Sequence, residues 1–133
     1  MQKNNFKVLA KNWFEQAHND YKSAKVVLVE GGYYGTTCFL AQQITEKYLK
    51  GYLISQGQVF DKVHDLVKLL NDCKKINQDF SVLEEECVLL NDYYIESRYP
   101  QDAPIDYSKK EARIALSCAE RIMHFVTEEI EKL

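Results

Sequence analysis

The stretch Tyr34-Gly-Thr-Thr-Cys38-Phe-Leu-Ala41-Gln-Gln-Ile-Thr45-Glu-Lys-Tyr48-Leu-Lys-Gly51-Tyr52-Leu-Ile-Ser-Gln56 decides the fold class. Cys38, Ala41, Thr45, Tyr48 and Tyr52 recur at three- and four-residue steps, and Leu49 and Leu53 widen the same face. That is the period of a helix with one side turned to a core. It predicts a helix over Tyr34–Gln56, closed by Gly57. Gly51 falls inside it and costs about 1 kcal/mol relative to alanine unless close packing compensates.

The same period extends outward in both directions. Leu9, Trp13, Ala17, Tyr21, Ala24 and Leu28 predict a first helix over Phe6–Glu30, with Gly31-Gly32 as its C-terminal stop. Val63, Leu66, Val67, Leu70 and Cys73 predict a third over Lys62–Ile76. A fourth opens with Ser81-Val-Leu-Glu84, a capping-box pattern, and runs on through Leu83, Cys87, Leu90 and Tyr94. The last opens with a second such box, Ser108-Lys-Lys-Glu111. It holds Ala112, Ala115, Ala119, Ile122, Val126, Ile130 and Leu133 on one face. Between these two lies Arg98-Tyr-Pro-Gln-Asp-Ala-Pro-Ile-Asp-Tyr107, which has no period. The expected fold is all-α: an up-and-down bundle of four to five helices, forming a single domain over residues 1–133.

Composition agrees. The chain of 133 residues holds 5 glycines and 2 prolines, with no proline before Pro100 and no glycine after Gly57. A β-sandwich needs turn residues every 8–12 positions or so, and this chain does not supply them. No G-x-G-x-x-G or G-x-x-x-x-G-K-[ST] motif is present. Hydrophobic residues make up 46%, charged residues 28%, and mean hydropathy is −0.40, values of a globular chain. No apolar run approaches the ~18 residues of a membrane span. Met1-Gln-Lys-Asn-Asn-Phe6 leads straight into a helical pattern without a signal-peptide core. Cys38, Cys73, Cys87 and Cys118 are widely spaced, each in an apolar register, which predicts buried reduced thiols in a cytoplasmic protein.

Net charge is −3, unevenly spread. Residues 1–50 hold 7 basic and 4 acidic side chains, residues 51–97 hold 4 and 9, and residues 98–133 hold 6 and 7. No segment forms a basic arm for duplex DNA. His18, His64 and His124 lack the spacing of a metal motif, so no metal site is expected.

Three segments gather polar residues. On the second helix Gln43, Lys47 and Lys50 share a face by spacing, with Gln42 and Glu46 in an adjoining row. By spacing alone this is a solvated face. His64, in Lys62-Val-His64-Asp65, reads as a helix-start or surface histidine. In Tyr94-Ile-Glu-Ser-Arg98-Tyr99-Pro100 the arginine stands at a helix C-terminus, where a cation suits the helix dipole. Flanked by tyrosines and a rigid proline, it also makes an anion or stacking platform.

In this order the segments resemble the HEPN domain family, named for higher eukaryotes and prokaryotes nucleotide-binding. Ala17-His-Asn-Asp20-Tyr-Lys-Ser-Ala24 is similar to its A-x-x-D-x-x-x-A. Gln43-Ile-Thr-Glu46-Lys47-Tyr-Leu-Lys50 is similar to Q-x-x-E-K-x-x-K, and His64-Asp-Leu66 with Leu69-Leu70 to H-x-L-x-x-L-L. Tyr94 to Pro100 is similar to Y-x-x-x-R-Y-P. The resemblance implies a homodimeric bundle, nucleotide binding (ATP, for example) and a separate minimal nucleotidyltransferase as partner, often in a toxin–antitoxin pair. The implied binding residues are Gln43, Glu46, Lys47, Lys50, His64, Tyr94, Arg98, Tyr99 and Pro100.

A large branch of the family comprises metal-independent ribonucleases, marked by an arginine with a histidine five to seven positions on. This chain departs from them. Those positions are Ala103, Pro104 and Ile105 after Arg98, Cys118, Ala119 and Glu120 after Arg113, and Val126, Thr127 and Glu128 after Arg121. A non-enzymatic binding protein is therefore the leading expectation, with no catalytic residue and no cofactor. The alternatives are a divergent ribonuclease using His64 or His124 at a dimer cleft, and a purely structural dimerisation module whose tyrosines close the interface.

Overall fold

A computed structural model describes residues 3–60, 62–96 and 106–133. Among them the elements are α1 (Lys3–Glu30), α2 (Tyr34–Ser55), α3 (Leu66–Ile76), a 3₁₀ helix (Gln78–Leu83), α4 (Glu84–Asn91), α5 (Tyr93–Glu96) and α6 (Lys109–Glu131). No strand occurs among the described residues, and no helix there is long and apolar enough to cross a membrane.

α2 is the central rod. α1 packs along it, α6 lies on it from another side, and α3 covers part of what remains. α1 folds back sharply because Gly31 adopts φ +78, a left-handed value that costs glycine little. Its N–H donates to the Val27 carbonyl at 3.0 Å and closes the helix end. The ridge of α1 that meets α2 is a row of alanines, Ala10, Ala17 and Ala24, all buried. Small side chains let the two backbones approach, and Thr37 Oγ1 donates to the Ala24 carbonyl at 3.3 Å across the contact. The inward stripe thus runs through Ala10; the predicted Leu9 is 37% exposed.

Lower down, Phe14 stacks on Tyr48 with ring centroids 5.2 Å apart and lies directly over Gly51. A Cβ at residue 51 would collide with the Phe14 ring, so glycine's helix penalty is offset by the packing it permits.

α1 begins at Lys3 rather than Phe6, the expected fourth helix breaks at Asp92 into α4 and α5, and two further boundaries move. α3 starts at Leu66, not Lys62, because the Asp65 carboxylate accepts from the backbone N–H of Val67 (3.0 Å) and Lys68 (3.2 Å) and so caps the helix. His64 is left in the turn before it. The Ser81 capping box does not form. Asn77 Oδ1 accepts from Asp79 N–H at 3.0 Å and starts a 3₁₀ turn earlier, so the chain is already helical at Ser81. The second box forms by half. Ser108 Oγ accepts from Glu111 N–H at 3.0 Å, while the Glu111 carboxylate accepts from Tyr93 OH at 2.8 Å instead of turning back. On α6 the predicted face holds from Ala112 to Val126, but Leu133 is 72% exposed.

All four cysteines are free and buried. Burial, above all, pushes the thiols of Cys38 and Cys87 up to about 12 and raises those of Cys73 and Cys118. A disulfide reagent is expected to leave the folded protein unmodified and to titrate four thiols after unfolding; rapid labelling of the native protein would contradict this packing. Gly51→Ala is expected to lower stability by about 1 kcal/mol or more despite the better helix propensity. Urea titration should show Phe14→Leu recovering part of that loss in the double variant.

Candidate functional site

Because α2 is covered on most sides, a polar row on it becomes interior. Gln42, Glu46 and Lys50 follow at four-residue steps and are 0%, 5% and 5% exposed. Spacing alone made this a solvated face; the turn before α3 covers it. Lys50 belongs to this row and not to a face shared with Gln43 and Lys47, because its ammonium turns to Glu46 Oε2 at 3.1 Å. The same ammonium stands 5.7 Å from the Trp13 ring centre and 5.3 Å from that of Phe60, which cover it with aromatic faces.

Glu46 is the hub. Besides Lys50 on Oε2, its Oε1 receives Gln42 Nε2 at 3.2 Å and meets His64 Nδ1 at 2.9 Å. Gln42 Nε2 also donates to the His64 carbonyl at 3.2 Å, and Gln42 Oε1 accepts from Gln43 Nε2 at 2.7 Å. The interior amide is thereby satisfied on both ends. His64 is held by ring and backbone together, and its side chain remains 47% exposed. Tyr94 of α5 stacks on the imidazole, ring centroids 4.0 Å apart and planes 13° from parallel. Asn91 ties α4 to the same corner: its Oδ1 accepts from Leu66 N–H at 2.8 Å and its Nδ2 donates to Asp65 Oδ1 at 3.1 Å.

Lys47 points elsewhere. It pairs with Asp20 of α1 at 2.6 Å, both side chains about one-fifth exposed (19% and 22%). The charges of both lysines are thus met within the chain.

Of the residues singled out from sequence, Glu46, Lys50, His64 and Tyr94 come together, Gln43 backs them through Gln42, and Lys47 lies apart. Arg98, Tyr99 and Pro100 lie outside the described residues. Gln42 and Asn91 were missed as members. Gln42 had a signal in its four-residue step to Glu46, and Asn91 had none. Of the other histidines, His18 is exposed on α1, and His124 pairs on α6 through Nε2 with Glu128 at 3.0 Å. No group of three or more metal-ligating side chains forms among the described residues.

No curated protein matches the chain. The crystal structure of an archaeal HEPN homologue aligns with a TM-score of 0.75 at 31% sequence identity, over 91% of this chain and 97% of that one. The HEPN domain matches residues 10–130, and the chain belongs to that family.

Proposed function

We propose that this HEPN protein works by binding: it takes up a nucleotide such as ATP, free or presented by a minimal nucleotidyltransferase partner, at the corner where α5 meets the turn before α3. It acts as a cytoplasmic homodimer within a toxin–antitoxin-like pair. The observation that carries this reading is the His64–Tyr94 stack, an aromatic pair anchored from behind by Glu46 with its open edge in solvent. Such a pair offers a base or ribose both a flat surface and a hydrogen-bonding nitrogen. Arg98 follows Tyr94 by four residues in the chain. Since Lys47 and Lys50 are engaged by Asp20 and Glu46, the phosphate contact in this reading falls to Arg98, with Tyr99 beside it and Pro100 stiffening the exit.

Calorimetry with ATP tests it. The wild-type protein is expected to bind, and Arg98→Ala to bind at least about tenfold more weakly. No heat with the wild type removes the nucleotide from the proposal, and failure to co-purify with a nucleotidyltransferase encoded beside it removes the partner.

One observation favours a second reading, a ribonuclease without the family's arginine–histidine spacing. A carboxylate behind an imidazole, as Glu46 stands behind His64, is the arrangement of an oriented general base. Incubation with tRNA and mRNA separates the readings. Intact RNA is expected; cleavage abolished by His64→Ala would reverse the order of the two.

A further inference from the structure

We infer that Glu46 is a positioning residue which locks the neutral His64 ring in the Nδ1–H form, so that, above the pH at which the ring gains its second proton, Nε2 meets a ligand as a hydrogen-bond acceptor and selects for a donor group there. The inference rests on the binding site proposed above for its ligand, but its structural half stands without one.

Donors and acceptors around Glu46 leave the neutral His64 ring one tautomer. An ionised carboxylate only accepts, and the lysine ammonium and the glutamine amide nitrogen only donate. Lys50 Nζ and Gln42 Nε2 both address Glu46, so the carboxylate accepts along the whole row. His64 Nδ1 stands 2.9 Å from Oε1 and must also donate. The other neutral tautomer would set two lone pairs against each other at that distance. Turning the ring over would bring a C–H to Oε1 and waste the contact. The ring is further held by Tyr94 on one face and its backbone by Gln42 on the carbonyl. With Nδ1 carrying the proton, the neutral ring keeps a lone pair on Nε2, for which no partner is found among the described residues. A carboxylate that orients an imidazole in this way commonly fixes its tautomer.

The consequence is chemical selection. A ligand atom opposite Nε2 must bring an N–H or O–H: the exocyclic amine of a base, or a ribose hydroxyl. A keto oxygen there would face another lone pair. An unanchored neutral imidazole prefers the opposite tautomer, with the proton on Nε2, so the expected state differs from the default. His124 provides an internal contrast, since there Nε2 faces the carboxylate.

Long-range ¹⁵N–¹H correlation spectra of the wild-type protein in mildly alkaline buffer read the tautomer directly, with His64→Gln assigning the signals. His64 is expected to show a protonated Nδ1 and a bare Nε2, and His124 the reverse. A His64 spectrum with the proton on Nε2, or an averaged one, overturns the inference. In Glu46→Met/Lys50→Met, which replaces the ion pair with apolar groups of similar size, His64 is expected to revert to the Nε2–H form. An unchanged spectrum in that folded variant removes Glu46 from the role, and if the variant does not fold, the wild-type spectrum still decides. Calorimetry in the same mildly alkaline buffer then compares ATP with 2′-deoxy-ATP, which lacks a hydroxyl donor, and with inosine triphosphate, which has a keto oxygen in place of the amine. The analogue missing the group that meets Nε2 is expected to bind about tenfold more weakly. Equal affinity for all three overturns donor selection. A bare Nε2 together with no ATP binding leaves Glu46's role standing and removes the nucleotide reading of the site.

Discussion

The corner where α3, α4 and α5 meet α2 depends on one buried carboxylate. Glu46 sits inside the bundle, where an unpaired charge costs several kcal/mol, so it must collect partners or not be there. It collects them from three places: Lys50 one turn along α2, Gln42 one turn back, and His64 from a different part of the chain. The first two come with the helix. The third fixes where the turn before α3 lies. From there the constraint spreads, because Asp65 caps α3 next to His64 and Asn91 clamps that cap to α4. An electrostatic requirement at one residue thereby sets the register of three helices against each other.

The rest of the bundle makes that corner rigid by ordinary packing. The alanine ridge of α1 brings α2 close, and Gly51 accommodates Phe14 where a larger residue would push the helices apart. Lys47 and Asp20 join α1 to α2 at the partly covered edge. Trp13 and Phe60 cover the aliphatic and charged end of Lys50, so water reaches the Glu46 pair only sparingly. On the far side, Phe80 wedges between Tyr52 and Phe125, at 4.4 and 4.9 Å between ring centres. Tyr107 contacts Tyr33 and Tyr93 where α6 begins. The His64–Tyr94 pair is tied to this interior through Glu46 while His64 stays half-exposed.

Much of this was legible in advance. Helix existence followed from the 3.6-residue period, and the α1 stop at Gly31 from glycine's left-handed preference. The Ser108 cap followed from its hydroxyl, and the buried thiols from their apolar registers. What failed did so for identifiable reasons. Ser81 offered a cap, but Asn77 began the helical turn four residues sooner and left no extended residue at Ser81 to act as one. His64 fell within an apolar helical pattern, yet the stronger local bond of Asp65 to two backbone N–H groups ended that helix before reaching it. Periodicity also assigned Lys50 to Lys47's side. A four-carbon side chain can swing to either neighbour, and it swung to the carboxylate one turn behind.

The amino-acid sequence by itself determined an all-α bundle, the approximate span of each long helix, and the residue types available for a site. Those properties depend on contacts between neighbours three and four positions apart, which the order of residues encodes directly. Tertiary structure alone decided that Gln42, Glu46 and Lys50 are interior rather than wet, that His64 joins them across 18 residues of chain, and that Tyr94 lies flat on the imidazole. A polar row at helical spacing looks the same whether water or another segment covers it. Only the placement of the turn before α3 distinguishes a solvated face from a buried hub, and that placement is set by long-range packing.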